Sequence, residues 1–93
     1  MLTLYLSEIR ETSEKDKFIK IYQTYEQKMF SVAYKILRHK ENAEDAVHDA
    51  FEVIMKKLDV IEVVYSEDTW SYILVIVKKK LSKYTTKIRK GRK

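Results

Sequence analysis

Three carboxylates and an imidazole recur along one segment at helical spacing. Asp45, His48, Asp49 and Glu52, continued by Lys56, fall at offsets 0, 3, 4, 7 and 11, and on an α-helix those offsets share one face. A row of acids so placed suits a basic partner surface, where it steers approach and sets register more than it adds affinity. A blander reading is a solvated face, with Asp45 favoured by the positive end of a helix. Asp45-x-x-His48 also has the spacing of half a di-iron site. Such a centre needs a second half, which the sequence lacks, and the candidate ligands point away from the apolar face. No metal and no other cofactor is expected.

A second group is basic and aromatic. Lys78, Lys79, Lys83, Lys87, Arg89 and Lys90 crowd the C-terminal part of the chain, preceded by Tyr65, Trp70 and Tyr72. Ammonium and guanidinium groups attract phosphates, and rings stack on unpaired bases, a combination suited to single-stranded nucleic acid. The alternatives are a solvated tail, an anionic lipid surface, and core packing for Trp70 and Tyr84. The search for catalysis is short: there is no thiol, no glycine-rich phosphate loop, no H-E-x-x-H, and neither histidine has a serine and an orienting acid at a recognisable spacing. No enzyme activity is expected.

Charge is divided along the chain in a way that the net +5 conceals. All 14 acids precede Val77, against ten Lys and Arg, a net −4; from Lys78 onward come nine basic residues and no acid. A weakly acidic body carrying a basic C-terminal segment is the asymmetry expected of a polyanion contact. The 93 residues hold no cysteine, no proline and one glycine. That bounds the chain to one domain, excludes disulfides and thiolate metal sites, and fits a reducing cytoplasm. Met1–Leu6 is too short for a secretory apolar region, and the longest apolar run, Tyr72–Val77, is far below the roughly 18 residues a bilayer span needs. A soluble, cytoplasmic protein without membrane insertion is expected.

With few breakers, helices must be bounded by caps and periodicity. Phe18, Ile21, Tyr22, Tyr25, Met29, Val32, Ala33, Ile36 and Leu37 form one helical stripe, predicting a helix from about Ser13 to Arg38, with Ser13 and Asp16 resembling a capping box. Asn42 is the expected N-cap of a second helix ending near Asp59. Its apolar face is Ala43, Ala46, Val47, Ala50, Ile54 and Leu58, with Phe51 at the edge. Residues 60–77 also admit a β-hairpin, but Trp70, Ile73, Leu74, Val77, Leu81, Tyr84 and Ile88 fit a helical period whereas alternation fails over residues 72–77. A third helix from about Glu67 to Arg89, capped by Ser66, is therefore predicted, with Val60–Tyr65 a connecting loop. The expected fold is all-α, a compact bundle of three main helices, with a fourth short N-terminal helix or a break in the first as an option. Residues 1–12 are read as a lead, either that short helix or disorder, 13–90 as the domain and 91–93 as a basic tail.

Ala43-Glu-Asp-Ala-Val-His-Asp-Ala-Phe51, followed by Lys56-Lys-Leu-Asp59, resembles region 2 of bacterial RNA polymerase sigma factors of the extracytoplasmic-function type. Phe18-Ile-x-Ile-Tyr22 and Val32-Ala-Tyr-x-Ile-Leu37 fit the first helix of that family, and Ser71-Tyr-Ile-Leu-Val-Ile-Val-Lys78 fits its S-Y-L-x-x-I-V-K segment. The resemblance covers about residues 14–90. It implies an initiation factor domain that binds core RNA polymerase and the minus-ten promoter element and assists promoter melting. By the same resemblance, Asp45, His48, Asp49, Glu52 and Met55 would meet the clamp helices of the largest polymerase subunit. Tyr65, Trp70, Tyr72, Lys78, Lys79, Lys83, Lys87 and Arg89 would meet promoter DNA, partly single-stranded. An anti-sigma factor is a further implied partner, and no region 4 is expected within the chain.

The sequence departs from the family at three of these positions. His48 stands where Gln is usual, Lys79 where Asn is common and Lys83 where Asp is common. An ammonium attracts phosphate but cannot make the bidentate amide contact to adenine. Two other functions therefore remain in view: a sigma-like adaptor or decoy that occupies the polymerase without reading a promoter, and a nonspecific basic nucleic-acid-binding module.

Overall fold

The computed structural model describes residues 2–9 and 12–92, with side chains up to Tyr84. It contains four helices, α1 (Leu2–Leu6), α2 (Thr12–Leu37), α3 (Lys40–Lys56) and α4 (Glu67–Arg92), and no strand among the described residues. The all-α bundle of three main helices is thus present, with the short N-terminal helix as its fourth member. No helix among the described residues is long and apolar enough to cross a membrane.

On α2 the seam runs Phe18, Ile21, Tyr25, Met29, Ala33 and Leu37, all buried. The stripe is narrower than expected: Tyr22 and Val32 are half-buried and Ile36 is 46 % exposed. Leu37 takes the inward position four residues beyond Ala33, and its neighbour Ile36 is rotated about 100° away from it. Ser13 lies inside α2 rather than at its cap.

The joint between α2 and α3 is two residues long. Arg38 adopts a left-handed conformation, φ 54°, which ends α2, and its N–H reaches the Tyr34 carbonyl at 2.8 Å. His39 is extended and is the N-cap of α3, its Nδ1 accepting from the Asn42 N–H at 3.2 Å. The expected cap, Asn42, is therefore already inside the helix, because the Arg38 turn lets the chain restart at once.

Helix α3 stops at Lys56 rather than near Asp59. Beyond it the bonding tightens to three-residue turns, Lys57 to Ile54, Val60 to Lys57 and Ile61 to Leu58, which still drop Leu58 and Ile61 into the core. Lys17 of α2 donates to the Leu58 carbonyl at 2.9 Å. Phe51, expected at the edge of the α3 face, is 1 % exposed and sits at the centre of the bundle.

Ser66 caps α4 as predicted, its Oγ accepting from the Thr69 N–H at 3.1 Å. The α4 seam is Thr69, Ile73, Ile76, Val77 and Leu81. Leu74, placed on the seam by sequence, is only half-buried and Ile76 is inside instead. Helices α2, α3 and α4 each pack on the other two, and α1 packs on α2.

Candidate functional site

Two surfaces carry the side chains singled out above, one on α3 and one formed by the 57–66 segment with α4. On α3, Asp45 is exposed, and the side chains of His48, Asp49 and Glu52 are 35, 31 and 47 % exposed. Met55 is half-buried against the core. The acids do share a face, as the spacing predicts, but the face is not bare.

Helix α1 reaches His48. Tyr5, 3 % exposed, stands within 5.3–6.3 Å of the rings of Phe18, Tyr22, His48 and Phe51. Its hydroxyl lies 2.5 Å from His48 Nδ1 and 3.3 Å from the His48 carbonyl oxygen. Burial, aided by Tyr22 and by the carboxylates of Glu52, Asp49 and Glu26, pushes the Tyr5 phenol well above its usual range, so it keeps its proton and donates. The hydroxyl thus has two partners on His48, the ring Nδ1 and the backbone carbonyl, and the other ring nitrogen, Nε2, faces Glu52 Oε1 at 3.6 Å. Both ring nitrogens are thereby oriented by neighbouring protein groups. Sequence reading missed Tyr5, although Leu2, Tyr5, Leu6 and Ile9 recur at offsets 0, 3, 4 and 7, the signal of an amphipathic turn.

Beside this face, between α2 and α3, lies an open groove of about 1000 Å³ lined by Tyr22, Phe30 and Phe51 and by Glu26, Glu44 and Asp45. Tyr22 donates to Glu26 Oε2 at 2.9 Å, and burial together with that bond pushes its phenol up to about 12. Among the described residues no group of three or more His, Cys, Asp or Glu converges on a possible metal position.

On the second surface Lys78, Lys79 and Lys83 are exposed along α4; the side chains of Lys87 and Arg89 lie outside the described residues. Tyr65 is 68 % exposed in the connecting segment. That segment is shaped by bonds to its own carbonyls: the Tyr25 hydroxyl donates to Val64 O at 2.5 Å and the Thr69 hydroxyl to Val63 O. Tyr72 is half-buried and lines a pocket of about 300 Å³ with Val60, Ile61, Val63, Ser66 and Thr69, where Glu62 and Asp68 also contribute.

Trp70 is engaged inside the protein. It stacks on Tyr25 with centroids 5.6 Å apart and planes at 9°, and Lys28 Nζ stands 5.5 Å from its ring centroid. Lys28, far away in sequence, thus joins the aromatic end of this surface. The two surfaces meet where Lys83 Nζ of α4 lies 3.6 Å from Asp49 Oδ2 of α3.

The family model described as sigma-70 region 2 matches residues 21–91. No curated protein and no solved structure matches the chain.

Proposed function

This chain belongs to the sigma-70 region 2 family, transcription initiation factor domains that bind RNA polymerase and recognise the minus-ten promoter element, and from that premise we propose how its own residues divide the work. The α3 face of Asp45, His48, Asp49, Glu52 and Met55 docks on the clamp helices of the largest polymerase subunit. The loop and α4 take up the minus-ten element as it opens, with Lys78, Lys79, Lys83, Lys87 and Arg89 on phosphates and Tyr65 and Tyr72 on unpaired bases. Trp70 supports that aromatic end from its stack on Tyr25. The domain is residues 13–90, with α1 packed on it, and it is of the extracytoplasmic-function type, working in the cytoplasm. An anti-sigma factor would compete for the same faces.

The observation that carries this reading is the separation of charge onto two surfaces, carboxylates on α3 and lysines on α4, both within the matched residues. Carboxylates on a helical face favour a basic partner and repel DNA; a lysine row with rings at one end does the reverse. The 300 Å³ pocket places a concavity beside the Tyr72 ring, at the aromatic end of the lysine row.

The test joins a pull-down of core polymerase to a promoter-opening assay, run with and without an added region 4. Capture of polymerase together with selective binding of a minus-ten-like single strand over scrambled strands is expected. If about four phosphates are neutralised, log affinity for the strand falls against log salt with a slope near −3, at roughly −0.7 per phosphate. Capture without strand selectivity would favour the adaptor reading, for which Lys79 in the common Asn position already speaks. Strand binding without capture would reduce the chain to a basic nucleic-acid module.

A further inference from the structure

We infer that Asp49 is a positioning residue for Lys83, holding this DNA-facing cation back until the polymerase engages the carboxylate. The inference rests on the proposed function, since it requires α3 to face the polymerase and α4 to face DNA. Asp49 and Lys83 are 3.6 Å apart across the α3–α4 seam. Lys83 Nζ also stands 5.5 Å from the centroid of the Tyr84 ring, a second contact that keeps the ammonium close to its own helix. The carboxylate is the more enclosed partner, with a side chain 31 % exposed against 68 % for the lysine. Its charge is also among those that raise the Tyr5 phenol, after burial, Tyr22 and Glu52.

One carboxylate therefore serves both surfaces. A basic group of the polymerase that takes the Asp49 carboxylate competes with Lys83 for it, and the released ammonium becomes available to a DNA phosphate. Linkage makes the effect reciprocal, because a phosphate that draws Lys83 away leaves Asp49 free for the polymerase, by the same factor. The pair is exposed and its geometry is that of a surface ion pair, so the coupling is small, about 1.5- to 5-fold in affinity at low salt and less as salt screens it.

Fluorescence anisotropy of the full chain with a labelled minus-ten-like single strand at low salt tests this, with core polymerase affinity measured in parallel. Asp49→Asn should tighten strand binding by about 1.5- to 5-fold beyond the gain seen with Asp45→Asn, which removes the same charge one turn away and leaves the pair intact. In a Lys83→Gln background the excess should vanish, and Asp49→Glu should restore wild-type strand affinity. Lys83→Gln should in turn tighten polymerase binding by a similar factor, whereas Lys79→Gln should not. Equal gains from Asp49→Asn and Asp45→Asn, or an excess that survives Lys83→Gln, would overturn the coupling while leaving both interfaces in place. A wild-type chain that binds neither strand nor polymerase would instead bring down the proposed function, and the coupling with it.

Discussion

Removing the Tyr5 hydroxyl, and then the whole ring, measures how far α1 belongs to the domain. Tyr5→Phe deletes the hydroxyl's contacts with His48, the short one of 2.5 Å to Nδ1 and a longer one of 3.3 Å to the carbonyl oxygen, and keeps the ring. One such bond contributes about 0.5–1.5 kcal/mol, and because the His48 side chain is 35 % exposed, water can reach the vacated nitrogen and hold the loss to that range. Tyr5→Ala additionally empties a site among Phe18, Tyr22 and Phe51 where the ring is 3 % exposed, and truncation of a buried aromatic costs about 3–5 kcal/mol. For a chain of this size each kcal/mol moves the midpoint by roughly 4–8 °C. Thermal and urea unfolding followed at 222 nm should therefore place Tyr5→Phe a few degrees below wild type and Tyr5→Ala far below both. Leu4→Ala, at a position 62 % exposed, should be neutral. In a His48→Ala background the cost of Tyr5→Phe should shrink by the value of the imidazole bond. A Tyr5→Ala variant with wild-type stability would show that α1 is not part of the folded unit, and the proposed orientation of His48 would fall.

Neighbouring substitutions on α4 test its phase: Ile73→Ala, at a fully buried position, should cost about 2–5 kcal/mol, and Leu74→Ala under about 1 kcal/mol, so equal costs in urea unfolding would refute the observed rotation of the helix. Asp45→Lys with Asp49→Lys should abolish polymerase capture while the helical circular dichroism persists, and undiminished capture by the folded variant would remove α3 as the docking face. The raised phenols of Tyr5 and Tyr22 predict a loss of stability in alkali. Above the unfolded tyrosine range near pH 10 the folded state retains protons that the unfolded state has released, so stability falls as pH rises from there toward the folded values. Tyr5→Phe and Tyr22→Phe should flatten that decline between pH 10 and 12, and an unchanged slope in the double variant would assign it to other groups.

The long periodic segments were legible because an apolar residue every three or four positions leaves one solution for a helix, and the stripe from Phe18 to Leu37 did so within a residue at each end. Leu74 was misplaced because residues 72–77 are all apolar and carry no phase of their own. Which of them turns inward is decided by the packing of α2 and α3. The α3 cap was missed because His39 does with a ring nitrogen what Asn or Ser does with an oxygen. The acidic and basic residue sets could be read directly, but their engagement could not. Tyr5 and His48 are 43 residues apart, and neither that bond nor the pairing of Asp49 with Lys83 has a local pattern to betray it.

The joint at Arg38 and His39 has a kinetic consequence. Two residues connect α2 to α3, so those helices can find each other at small loop-closure cost, whereas α4 must be brought back across the 57–66 segment. The first pair is a compact, locally connected hairpin; the last helix is fastened by tertiary packing and by the bonds from Lys17, Tyr25 and Thr69 to the carbonyls of that segment. Undocking of α4 is thus the cheaper partial opening, and amides around residues 73–81 should exchange with solvent through a lower free-energy opening than those of 43–54. Matching exchange free energies would mean that the bundle opens only as a whole. On the proposed reading, in which α4 meets DNA, the main helix that undocks more cheaply is also the one that a bound strand would hold in place.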